Sequence, residues 1–302
     1  MRVMNDGFVS IMDVGDEFRV RNVFCTDARS RVAYEYFGYA ITFDMMYLTN
    51  RCGMPFAPFV GVNHHGQSIL LGAGLIPSED TTAIDIVWHI MRKLPEKFGS
   101  HVAYDTRLKT TIQSGLYNER SFWIPVYLKD VFWASMSTTR QSESMNAFCD
   151  GFVHSVMTLK EFVHQFDNAL RKKVKVETTA DFHSCNQMIR CVSSFKIEKQ
   201  FQSLYTNAKF KEVQREVWGM IMCNPALVST QGCISTFDVF KEISTSDEHV
   251  KIVKFSVYYN EDECEVKCTC ALFEMRGIVY KHAFRVCWMK YIHELPEKYV
   301  LD

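Results

Sequence analysis

The sequence predicts an α+β fold on three observations: a block of short apolar strands between Tyr39 and Ile76, a helical block that opens at Thr158, and a cysteine-bearing strand pattern after Val250. In the first block, Tyr39, Ile41 and Phe43 alternate with less apolar positions. That describes a half-buried strand delivering Asp44 to its C-terminal end. The runs Phe56 to Val62 and Ser68 to Ile76 read as two further strands, and Asn63-His64-His65-Gly66-Gln67 between them supplies hairpin turn residues, with Gly66 free to take positive φ. A carboxylate at a strand end has a simple reading as a turn or cap residue, and a sharper one as a metal ligand.

The helical block is marked by a capping box, Thr158 with Glu161, followed by Leu159, Phe162, Val163, Phe166, Leu170 and Val174 at steps that place them on one helix face. A second helical stretch, from about Ile197 to Met222, carries Phe201, Tyr205, Phe210, Val213 and Val217. Such stripes serve a core or a partner helix. Trp123, Pro125, Tyr127, Phe132 and Trp133 form an aromatic cluster that reads as core, with base stacking as the alternative. Val250 to Val257 alternates as a strand, and CEVKCTC, Cys264 to Cys270, continues the pattern. The lead-in before Val32 reads as a strand pair or a strand and loop.

Composition bounds the function. With 302 residues, 47% hydrophobic and 14% aromatic, the chain can bury the core of one large domain or two smaller ones. The longest apolar runs are about ten residues, short of the ~20 that span a bilayer, and MRVMNDGFVSIMD lacks a leader's basic-then-apolar layout. A soluble protein of the cytosol or nucleus is expected. Eleven cysteines scattered along the chain suit reduced thiols with one metal site better than a disulfide framework. The net charge of −1 lacks the basic surplus with which proteins grip nucleic-acid phosphates. Arg171, Lys172, Lys173 and Lys175 form a local basic cluster, read as a solvated face at a helix end.

The phrase FDMMYLTNRCGMPFAPFVGVNHHGQSILLGAGL, with RVRNVFCTDARSRVAYEYFG before it and LYNERSFWIPVYLKDVFWASMSTTRQSESMNAFCDGFV after it, resembles the far-red-impaired-response-related proteins of plants, which look like domesticated Mutator-like transposases. The resemblance implies a lead-in over residues 1–32, a degenerate ribonuclease H-like (Mutator-type transposase) core over 33–150, a helical region over 151–245 and a small ββα SWIM-type zinc finger over 250–290. Three neighbouring strands with a carboxylate on the first is how nucleases of the ribonuclease H type begin. Asp44 matches the first, and Glu143 the third, of an Asp/Asp/Glu set that holds two divalent ions in active transposases.

The wording departs from the family between Pro77 and Gly99, where SEDTTA passes directly to IDIVWHIMRKLPEKFG, and contracts again between Tyr104 and Leu116. The second Asp has no matching position, and Asp80 and Asp85 read as loop or cap residues. Ile86 stands where a family Cys-x-x-His has its cysteine, leaving His89 beside Trp88 as a packed or surface residue. Full-length family members carry an N-terminal zinc-binding, DNA-contacting domain, and this sequence begins downstream of it. Asp44 and Glu143 are therefore read as relics, with no divalent metal expected at Asp44 and no nuclease activity.

The C-terminal stretch resembles the SWIM pattern Cys-x-Cys, spacer, Cys-x-His. Cys268, Cys270 and His282 match three ligands, and Tyr280 replaces the fourth. Thiolates two apart on a strand project to one face, and structural zinc takes four Cys or His ligands, so weak or absent zinc binding is expected. Cys264 lies ~13 Å from Cys268 along a regular strand, and Cys287 faces elsewhere on a regular helix. The implied role is a nuclear, catalytically inactive transcription regulator with weak or indirect DNA contact, able to form homo- or heterodimers with family members. It involves no membrane and no small-molecule substrate. Two other readings stay open: an interaction module that pairs with full-length relatives without touching DNA, and a degenerate product whose lost strand and helices leave apolar faces uncovered.

Overall fold

Phe56–Val62 (β4) and Ser68–Leu75 (β5) are buried along almost their whole length, a pattern that requires cover on both faces of a sheet. The computed structural model describes residues 8–14, 20–38, 41–43, 54–76, 132, 139–154, 157–244 and 250–300. It divides into two compact units, residues 1–128 with 136–178 and residues 129–135 with 179–302.

In the first unit β4 and β5 lie within an antiparallel sheet of order β1-β2-β5-β4-β3, completed by Val9–Val14 (β1), Val20–Thr26 (β2) and Thr42–Phe43 (β3). The β4–β5 turn follows from the residues: Gly66 takes φ 73, and the Asn63 side-chain oxygen accepts from the backbone N–H groups of His65 at 3.1 Å and Gln67 at 3.0 Å. One face of the sheet packs Phe56, Val60, Leu70 and Leu75 against Met145 and Cys149 of helix Thr139–Cys149 (α2) and Phe162, Phe166 and Leu170 of helix Leu159–Asn186 (α3). The other packs Phe24, Phe59 and Leu71 against Ala33, Tyr34 and Phe37 of helix Ala28–Phe37 (α1). The register slips between Phe59 and Val60, where Gly72 leaves room for the Phe24 ring.

Helix α1 is not anticipated by the sequence reading, which places a lead-in up to residue 32. Its start is nonetheless encoded: Asp27 is the N-cap and accepts from the Ser30 N–H at 2.7 Å. The capping box that opens α3 forms as expected, with Glu161 accepting from the Thr158 N–H at 2.8 Å and Thr158 Oγ1 accepting from the Glu161 N–H at 3.3 Å. The basic cluster is not at a helix end, because α3 continues to Asn186. Arg171 pairs with Asp167 at 2.7 Å, and the Lys173 ammonium lies 4.4 Å from the Phe148 ring centroid.

The second unit is built from helices Lys196–Leu204 (α4) and Asn207–Gly219 (α5), then a sheet of order β6-β7-β8-β9 made of Cys223–Gln231, Ile234–Ser244, Val250–Asn260 and Glu265–Cys268. A short helix, Leu272–Arg276 (α6), and a longer one, Lys281–Met289 (α7), follow. Phe201, Phe210, Val213 and Val217 pack with Phe237, Val239, Val257 and Phe284 in one core. Among the described residues one face of this sheet is packed, so Phe237 and Val239 are buried while Phe240, which alternates with them along the strand, is exposed.

The helical region expected over 151–245 therefore ends at Met222, and β6 and β7 occupy its last part. The buried alternation Ser235, Phe237, Val239 is a strand signature that the sequence reading passes over. The strand expected from Cys264 to Cys270 is also shorter: Cys264 sits in a turn with φ 48, and β9 stops at Cys268.

Candidate metal centre

Cys268 closes β9, and the backbone turns at once, with the Ala271 N–H donating to the Cys268 carbonyl at 3.0 Å and Ala271 taking φ 50. Cys270 thus reaches the same place as Cys268 through a turn and not by strand alternation. Its own N–H points at the Cys268 sulfur at 3.5 Å. His282 lies in the first turn of α7, behind the N-cap residue Tyr280. The strand end, the turn and the helix start bring one ligand atom each from Cys268, Cys270 and His282 within 4.8 Å of one another.

The spacing suits a tetrahedral cation. Metal–sulfur and metal–nitrogen bonds of about 2.3 and 2.0–2.1 Å at a tetrahedral angle put sulfur and nitrogen about 3.6 Å apart. Cys268 Sγ lies 3.6 Å from His282 Nδ1. The imidazole is buried and stacked on Phe255, centroids 4.0 Å apart at 22°, with the Tyr280 ring edge-on at 5.2 Å. Its Nε2 has no hydrogen-bond partner among the described residues, so aromatic packing and not an outer hydrogen bond orients the ring.

The two thiols share their protons unequally. The hydrogen bond from Cys268, aided by His282 and the Leu272 N–H, brings Cys270 down to about 5 against its burial. The same bond, followed by burial, pushes Cys268 up. A cation bound by both sulfurs has to displace the proton held at Cys268.

Neither other nearby cysteine joins the group. Cys264 lies beside the Tyr259 hydroxyl at 3.9 Å, and Cys287 is fully buried in α7, where burial pushes its thiol up to about 12. The cavity beside the sulfurs is lined by Cys268, Cys270, Glu274 and Tyr280. Glu274 carries no sequence signal, because a single glutamate in a short helix belongs to no ligand spacing.

Of the acidic positions, Asp44 lies outside the described residues, as do Asp80, Asp85, Ile86, Trp88, His89, Trp123, Pro125, Tyr127 and Trp133. Glu143 is exposed on α2, in its second turn. The described residues therefore contain no assembled acidic set. No described helix is long and apolar enough to cross a membrane.

Residues 40–102 match the MULE transposase domain. The Arabidopsis thaliana protein FAR-RED IMPAIRED RESPONSE 1 is 29% identical over 370 positions, which cover 98% of this chain and 44% of the relative. FAR1-RELATED SEQUENCE 6 from the same plant is 30% identical over 373 positions, with 100% and 53% covered, and FAR1-RELATED SEQUENCE 5 is 28% identical with 100% and 47% covered. The chain spans about half the length of these curated relatives. Alignments of 370 to 375 positions against 302 residues leave stretches of each relative opposite gaps. No solved structure matches the chain.

Proposed function

The chain belongs to the far-red-impaired-response-related family, and from that premise we propose that it acts as a nuclear, transposase-derived regulator of transcription that cleaves no DNA. The observation that carries the reading is identity of 30% running through the whole chain, from the lead-in to the cysteine-rich end. Nuclease chemistry of the two-metal kind needs carboxylates that bridge or flank the ions. Glu143, one of the two relic positions, stands exposed on α2, and the resemblance leaves the second Asp without a counterpart. The core is read as a degenerate ribonuclease H-like scaffold and residues 250–290 as a SWIM-type finger.

In this reading Cys268, Cys270 and His282 hold zinc, which supplies a structural cross-link between β9, the turn after it and α7. The tetrahedral edge between Cys268 and His282 supports the assignment, and Tyr280 in place of a cysteine makes the site weaker than a four-ligand one. DNA contact is weak or indirect. The net charge of −1 and the engagement of Arg171 and Lys173 with Asp167 and Phe148 leave little to neutralise phosphates. Pairing with a second copy or with longer relatives would then deliver the chain to promoters.

One experiment tests the reading: tether the chain to an unrelated DNA-binding domain and measure a reporter beside its target sites. A change in transcription that persists in Asp44→Asn and Glu143→Gln is expected. An inert reporter, or Mg²⁺-dependent cleavage of duplex DNA abolished by Asp44→Asn, overturns it.

A further inference from the structure

We propose that Glu274 supplies the fourth donor of the metal centre, in the position that Tyr280 leaves without a thiolate. The proposal rests on the zinc reading above and concerns how this chain completes a tetrahedron. Three donors are already gathered within 4.8 Å, one short of the four that structural zinc takes. The missing donor has to come from the cavity onto which both sulfurs open. Its lining contains three oxygen-bearing side chains, Glu274, Tyr280 and Tyr299, and the Tyr299 hydroxyl is already engaged with the Val266 N–H and carbonyl.

Three arguments favour the carboxylate. The first is connectivity: the chain turns at Ala271 directly into α6, so Glu274 follows Cys270 by one helical turn and is carried on the same rigid corner. The second is charge. Two thiolates, one carboxylate and one imidazole put three anionic donors around a dication, as three cysteines and a histidine do; a neutral phenol would give only two. A carboxylate is anionic at neutral pH, whereas a phenol needs a far more basic medium. The third is position: Glu274 lines the same cavity as Cys268 and Cys270. Tyr280, by contrast, is turned to its own helix, with the Lys281 ammonium 4.5 Å from its ring centroid and the His282 ring against its side. The Glu274 oxygens stand outside the 4.8 Å set, so the side chain has to rotate toward the sulfurs to bind.

The test uses the full chain, reduced, with Co²⁺ followed by its visible spectrum and Zn²⁺ by competition with a chromophoric chelator. The unaltered chain is expected to bind one equivalent with sulfur-to-cobalt charge transfer that Cys268→Ser diminishes. Glu274→Gln is expected to weaken zinc binding about tenfold or more, in the range that supporting groups of a metal site contribute, whereas Tyr280→Phe leaves it unchanged. Tyr280→Cys tightens binding, and in that background Glu274→Gln has no further effect. A thermal transition of each metal-free variant matching the parent's shows that folding is intact. Full affinity in Glu274→Gln, or loss in Tyr280→Phe equal to that in Glu274→Gln, overturns the assignment of Glu274 while the metal reading stands. Failure of the unaltered chain to bind, or indifference to Cys268→Ser, overturns the metal reading and this assignment with it.

Discussion

Glu198 is fully buried, and its carboxylate accepts from the Val192 N–H at 2.7 Å, the Ser193 N–H at 3.0 Å and Gln214 Nε2 at 3.0 Å. A carboxylate taken out of water survives only when donors of this kind replace its hydration. Here they tie the segment before α4 to both α4 and α5. Glu198→Ala orphans those donors together, and a loss of about 3 kcal/mol in urea unfolding is expected. Asp238 is a contrasting acid on the solvent side of the second sheet. Hydrogen bonds from Ser256 and then Lys254 hold its carboxyl below the usual range. A depressed acid stabilises the fold above its unfolded pKa and loses that contribution as pH falls through the folded one. Asp238→Asn should therefore narrow the drop in melting temperature on acidification to about pH 3, and an unchanged drop would remove the pair from the account. At this scale the sequence was legible where residue type and spacing are both local. Cys268, Cys270 and His282 satisfy that condition. Glu198 does not, because its partners are set by packing that no spacing records.

Among the elements, β9 depends on a residue far along the chain. The buried Tyr299 hydroxyl accepts from the Val266 N–H at 2.7 Å and donates to the Val266 carbonyl at 2.9 Å, fastening the last turn of the chain to the strand that carries Cys268. Tyr299→Phe leaves a buried N–H and carbonyl without partners and should cost about 1–3 kcal/mol by chemical denaturation. In the first sheet, a Cβ at Gly72 would stand 2.7 Å from Phe24 Cζ, so Gly72→Ala forces that ring against Phe59. Overpacking of this kind costs about 1–3 kcal/mol, readable as a lowered urea midpoint. The β4–β5 hairpin could be read from the sequence almost to the residue, since two apolar runs flank an Asx turn with glycine. The capping box announced α3 equally well. Helix α1 escaped because its core-facing residues are Ala33, Tyr34 and Phe37, a thin stripe with weak periodicity. β6 escaped because most of CNPALVSTQ is exposed, which leaves no alternation to detect.

Among the described residues the first unit holds two buried clusters, one on each face of its sheet, and the second unit holds one, from Phe195 to Tyr299. The candidate metal group, Cys268, Cys270 and His282, belongs to the second. Zinc at a hundredfold excess over its dissociation constant adds about 2.7 kcal/mol to whatever it binds in the native state alone. Chelation should accordingly lower hydrogen-exchange protection in residues 179–300 and leave the first unit's strands untouched; an equal loss in both would contradict two cooperative units. The first unit has an internal order of assembly as well. β4 and β5 are neighbours across a five-residue turn, whereas β2 pairs with β5, from Val23 opposite Leu75 to Cys25 opposite Ala73, only by closing all the intervening chain. A hairpin closes in microseconds, and a long loop closes later against greater entropy. The register slip beside Gly72 is therefore expected to form before the N-terminal strands anneal to β5. Truncating those strands would then change the final rate of assembly and leave the early hairpin phase intact.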